Sequence, residues 1–173
     1  ETGYAIIWSI LLFTILLGSE QFFIKDYLDG SFKELQIIGF SAEIIIFTKV
    51  IVMWIFLIMP LLFFIPIIAV MLSLKFEPVI ILIISIILGS PSLLLITTVG
   101  ILLTIQSNKS KILLLIIIFP FFIPILIYGI GTIKLYNLLL DPSANFLILF
   151  AIFLITLPVT IISGKYVFKE VNN

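Results

Sequence analysis

The side chains able to do chemistry in this sequence are few in kind. There are nine lysines, nine carboxylates, scattered Ser and Thr, and three methionines, with no Cys, His or Arg in 173 residues. Without His or Cys, the commonest ligands for zinc, copper and haem iron are missing, as are the usual general base and thiol nucleophile. Met53, Met59 and Met71 carry thioethers, but each stands in an apolar helical run where Met ordinarily packs. Nothing matches G-x-x-x-x-G-K-[ST], so any ATP is hydrolysed by another chain. An ion relay needs carboxylates or His at mid-span. Glu43 comes nearest, and it reads as an interfacial carboxylate near a helix start, where negative charge suits the dipole. Balanced charge leaves no basic surface for nucleic acid.

Most polar side chains of the first half fall between Glu20 and Leu35. Gln21, Lys25 and Asp29 recur at i, i+4, i+8, with Phe23, Tyr27 and Leu28 on another face, which predicts a short surface helix ended by Asp29-Gly30. Ser31-Phe32-Lys33-Glu34 then reads as a capping box, with Ser31 accepting from the new helix and Glu34 reaching back. The pattern is helix, sharp turn, helix at a membrane surface. A solvated surface helix is its plainest reading, and a docking element is the functional one.

The elements that must position this stretch are membrane spans. With 63% hydrophobic and 10% charged residues, the composition lies outside soluble usage, and runs of about 20 apolar residues recur. The expected fold is an all-α integral membrane protein, one transmembrane domain over 1–173. Spans fall at about 3–19, 41–73, 79–105, 112–133 and 146–162, with the amphipathic loop at 20–35. Trp8 or Tyr4 is expected near an interface, and Lys49 is expected to snorkel to the headgroups. Pro60, Pro66, Pro120, Pro124 and Pro158 stand inside spans. Leu88-Gly89-Ser90-Pro91-Ser92-Leu93 is expected to break its helix, with Ser90, Ser92, Thr97 and Thr98 serving the freed carbonyls, while Gly89 and Gly100 admit a neighbouring helix. Ser163 to Asn173 reads as a polar tail. Lysine placement puts the 20–35 loop, Lys109 and Lys111, and Lys165 and Lys169 on the cytoplasmic side, leaving Lys75 and Lys134 outside. The chain begins at Glu1 without Met and a span starts almost at once, which reads as truncation at the N-terminus.

Taken in order, Asp26-Tyr27-Leu28-Asp29-Gly30-Ser31, Lys49-Val50, Trp54, Pro60, Pro66, the Leu88 to Leu93 group, Gly100 and Phe119-Pro120-Phe121-Phe122-Ile123-Pro124 resemble the CcmB family. That family is the haem exporter membrane subunit of cytochrome c maturation. The resemblance runs from Gly3 to about Tyr128, and Met53 stands where a relative can carry His. It implies an ABC-2-type permease-like bundle with kinked helices, six in a complete member, in a bacterial inner membrane and less so in a mitochondrial one. It also implies a CcmA-like ATPase, CcmC-like and CcmD-like membrane subunits and a CcmE-like haem chaperone as partners, with haem and ATP handled by those partners and no cofactor held here. Under this resemblance the loop is the ATPase coupling element, carried by Phe22, Phe23, Asp26, Tyr27, Asp29, Gly30, Ser31 and Glu34. Gly89, Pro91, Gly100, Pro120 and Pro124 serve helix breaks and packing. A permease of another ABC-2-like exporter and a non-transporting scaffold are the alternatives.

Overall fold

Inside a bilayer no water is on hand for backbone amides, so runs of Ile, Leu, Phe and Val must close their hydrogen bonds internally as helix. The computed structural model describes residues 2–105 and 111–171, and these form six helices. They are α1 (Thr2–Leu28), α2 (Ser31–Ile38), α3 (Ala42–Met71), α4 (Phe76–Ile105), α5 (Lys111–Asn137) and α6 (Ser143–Val171). All but α2 are long and apolar enough to cross a membrane, so the expected all-α, five-span architecture stands. α4 is the hub, packing against α1, α3, α5 and α6.

Several expectations about individual elements are corrected. The polar stretch after Gly18 does not form a separate helix, because α1 runs unbroken through it to Leu28. Between Ser19 and Leu28 stands no Gly or Pro, and polarity alone does not interrupt a hydrogen-bond ladder. The short helix at this end is α2, eight residues long, and it starts at Ser31 where a second helix is expected. α4 is likewise continuous through Pro91. Thr97 and Thr98 donate to the carbonyls of Leu93 and Leu94, Ser90 accepts the Trp54 indole N–H at 2.9 Å, and Ser92 is buried without a hydrogen-bond partner. Packing against four helices holds α4 together through Pro91, where the ladder lacks one donor. The polar tail is also helical, since α6 extends to Val171 and Gly164 lets it close on Ile46 of α3.

Trp8 is not interfacial. It is wholly buried, wedged from α1 between Gly89 of α4 and Gly129 of α5; a Cβ on Gly89 would lie 2.8 Å from its Cη2. The two glycines leave a slot that only a flat ring fills, and burying the indole outweighs hydrating its N–H. Of the methionines, only Met53 is buried; Met59 and Met71 are exposed on the bundle surface. Apolar side chains can face lipid at no cost, so an apolar run does not dictate burial as it would in water.

The bundle has two distinct ends. At one, Glu43 meets Lys165 at 3.5 Å, gathering the end of α1, α2, the start of α3 and the end of α6. At the other, the Tyr136 hydroxyl donates to Glu77 at 3.2 Å. There too Asp141 accepts the Ser143 hydroxyl at 2.7 Å and its amide at 2.9 Å, which holds its carboxyl below the ordinary range and starts α6. The Lys109 loop lies outside the described residues. Cysteines introduced at Asp29 and Lys165 into this cysteine-free chain are expected to react from one side of the membrane, and one at Leu139 from the other. Impermeant maleimide added to right-side-out and inverted vesicles checks this; reaction of Asp29 and Lys165 from opposite faces excludes the arrangement.

Candidate functional site

The turns on either side of α2 are built by two glycines. Gly30 has φ 74 and stands as the residue before α2; Gly39 has φ 109 and follows it. Both are left-handed positions where a side chain is strained. After Gly39 the Phe40 amide donates to Leu35 O at 3.1 Å and the Gly39 amide to Gln36 O at 3.0 Å, a Schellman closure. Ser41 then caps α3, its hydroxyl accepting from the Ile44 amide at 3.4 Å.

The expected Ser31–Glu34 capping box is absent. Gly30 occupies the cap, its carbonyl accepts the Lys33 and Glu34 amides at 3.0 and 3.1 Å, and no side chain caps α2. With Gly30 as the cap, Ser31 is already the first residue of α2 and falls one position too far into the helix to serve. α3 thus starts where the sequence reading places it, with Ser41 as its cap and Glu43 in its first turn.

Three helices meet at Lys49. Phe23 of α1 and Phe32 of α2 lie with ring centroids 5.9 Å apart, and the Lys49 ammonium of α3 stands 5.7 and 5.1 Å from those centroids. Asp26, one turn after Phe23 on the same face of α1, makes an ion pair with Lys49. Lys49 therefore does not stretch outward along the bundle surface, as snorkelling requires, but turns inward. Its side chain is only 13% exposed, and the nearby carboxylate and two aromatic faces offer the ammonium more than an apolar outward path does. A cation deep in an apolar run, as in Thr48-Lys49-Val50, is a signal that a partner stands nearby.

The sequence-predicted residues thus divide. Phe23 is wholly buried and Asp26 is engaged by Lys49; Phe22 lies against Phe56 at 6.4 Å, and Tyr27 is half-buried. Asp29 and Glu34 remain exposed, with Gly30 and Ser31 at the turn. The outward face of α2 also carries Ile37 and Ile38, 78% and 71% exposed, which sequence reasoning missed because it placed the surface helix upstream. Elsewhere Gly89 sits under Trp8, and Gly100 borders an apolar cavity of about 210 Å³ between α4, α5 and α6. Pro120 and Pro124 are exposed within an unbroken α5, and Pro91 is half-buried in α4.

With this geometry in hand, comparison with known proteins is specific. The family described as CcmB protein matches residues 1–164. Heme exporter protein B of Pseudomonas aeruginosa is 32% identical over 129 residues, covering 75% of this chain and 58% of that protein. Its namesake in Haemophilus influenzae is 33% identical over 124 residues, 72% of this chain and 56% of that protein. The Rhodobacter capsulatus protein of the same name is 32% identical over 124 residues, 72% and 57% of the two chains. The match therefore spans a little over half the length of these relatives.

Proposed function

This chain belongs to the CcmB family, and from that premise we propose that it is the membrane subunit of an ABC-type haem exporter serving cytochrome c maturation. A separate CcmA-like subunit hydrolyses ATP, and CcmC-like and CcmD-like subunits and a CcmE-like chaperone handle haem beside it, in the inner membrane. Haem is the complex's substrate in this reading, and its iron is held by partners, since the chain offers neither His nor Cys.

The observation that carries the reading is the Lys49 knot beneath α2. A helix whose outer face bears Ile37 and Ile38 is a contact surface, since large exposed apolar residues beside charged ones form the usual pattern of a docking patch. Its inner face, through Phe32, is tied to Lys49 of α3 and to Phe23 and Asp26 of α1. A push on α2 by an ATPase that changes shape is therefore passed to two spans at once, and through them to α4. Gly30 and Gly39 fix the direction of the push by holding α2 at both ends.

Ile37→Asp combined with Ile38→Asp is expected to lower ATPase retention by about tenfold or more, as the loss of a central contact does. Gly30→Val is expected to act in the same direction by misplacing α2. Leu139→Asp, at the far end of the bundle, leaves retention unchanged. Pull-down of the ATPase from membranes holding the full-length protein, scored with cytochrome c maturation, checks this. Normal retention and maturation in both loop variants would remove α2 from the interface. An ATPase that binds without any bearing on cytochrome maturation would point to another ABC-2-like exporter, and no ATPase at all to a scaffold.

A further inference from the structure

Beside the Lys49 knot, α1, α2 and α3 enclose a side-opening groove of about 450 Å³, within the size range of sites that hold small ligands. Its walls are mostly apolar, with Phe40, Ile44 and Val52 at an exposed mouth, while Asp26, Thr48 and Lys49 contribute the polar part. Two of its three walls are spans, so the mouth opens where a bilayer surrounds the bundle. Lys49 follows Glu43 by six residues, about 9 Å along the helix. Glu43, paired with Lys165 near the ends of two spans, marks the polar zone, which is roughly 5–7 Å deep on each face of a bilayer. The polar part of the groove therefore lies where a phospholipid passes from headgroup to acyl chain.

We propose that this groove binds one phospholipid whose headgroup is zwitterionic and carries a primary ammonium, of the phosphatidylethanolamine type. The charge pattern selects it. Lys49 has three N–H donors and its pairing with Asp26 leaves donors for a phosphate, with the Thr48 hydroxyl beside it; Asp26 has two carboxylate oxygens, and Lys49 sits on Oδ2. The pair is neutral in sum, so a net-anionic headgroup meets Asp26 unfavourably. A headgroup with one charge of each sign matches both residues. A primary ammonium donates hydrogen bonds to a carboxylate, whereas a quaternary one cannot. The acyl chain leaves along Ile44 and Val52 into the bilayer. This assignment is independent of whether α2 docks an ATPase, which would contact the opposite face of that helix.

The test releases the full chain from nanodiscs of equal phosphatidylethanolamine, phosphatidylcholine and phosphatidylglycerol content and counts retained lipid by native mass spectrometry. One phosphatidylethanolamine per chain is expected, favoured by at least ~10-fold over the other two, the scale of one charge-assisted hydrogen bond. Ile44→Trp narrows the mouth at an exposed position, so it is expected to abolish retention without changing the lipid-free melting temperature. The double variant Asp26→Asn/Lys49→Met removes both charges together and is expected to erase the headgroup preference. Equal retention of the three lipids, or retention unaffected by Ile44→Trp, makes the lipid a random neighbour and overturns the proposal. So does thermal stabilisation by soluble phosphoethanolamine equal to that given by the lipid, or a partner protein found filling the groove in its place.

Discussion

Asp26→Asn is expected to destabilise the protein more than Lys49→Met, although each deletes the same ion pair. The difference lies in what is left behind. Lys49→Met abandons a carboxylate that is 37% exposed and can turn to water, while its own replacement is apolar, of similar length, and at home between two phenyl rings. Asp26→Asn leaves an ammonium that is only 13% exposed with a neutral amide oxygen and the faces of Phe23 and Phe32 as its remaining compensation. Breaking a buried pair typically costs about 3–5 kcal/mol because one charge is stranded. The Asn variant belongs near the lower end of that range, and the Met variant at roughly 1–2 kcal/mol once the exposure of Asp26 is allowed for. Asp26→Asn/Lys49→Met strands nothing and is expected to recover most of the loss. Unfolding by SDS titration in mixed micelles gives all three values. A Met variant weaker than the Asn variant, or a double variant as weak as the sum of the singles, contradicts the account.

Trp8→Ala is the second large effect, about 3–5 kcal/mol, because removing a fully buried indole leaves a cavity lined by Gly89 and Gly129, which have no side chains to collapse into it. Trp8→Phe is expected to cost less than Trp8→Ala, since it leaves a smaller cavity. The indole N–H is buried without a hydrogen-bond partner, so losing it removes an unsatisfied donor rather than a bond. Gly129→Ala should be costly in the native chain, about 1–3 kcal/mol, since its Cβ would overlap the Trp8 ring atoms Cζ2, Cε2 and Cη2. Those atoms belong to the larger ring system that Phe lacks, so the cost of Gly129→Ala is expected to shrink in the Trp8→Phe background. The same SDS titration measures the coupling. Additive effects would mean that Trp8 and Gly129 do not touch.

Hydropathy by itself determined the solvent, the helical class and the number of spans, because a bilayer imposes one rule on every apolar run: its amides must bond internally over about 20 residues. The Asp29-Gly30 pair likewise located a turn, since the positive φ there favours a residue without Cβ. What hydropathy does not carry is direction around the helix. In lipid an exposed Met59 and a buried Met53 are equally comfortable, and the indole of Trp8 suits an interface as well as a glycine-lined slot, so burial was decided by which helices meet. Pro91 shows the same limit, as a local rule against proline inside a helix yields to α4 being packed against four others. The candidate site depended on tertiary structure most of all. Phe23, Asp26, Phe32 and Lys49 are separated by up to 26 residues, and the ammonium becomes a clasp only when the Gly30 and Gly39 turns fold α2 back against α1 and α3. A lone lysine inside an apolar run announces that it needs a partner; only the packing of three helices decides that Asp26 is one.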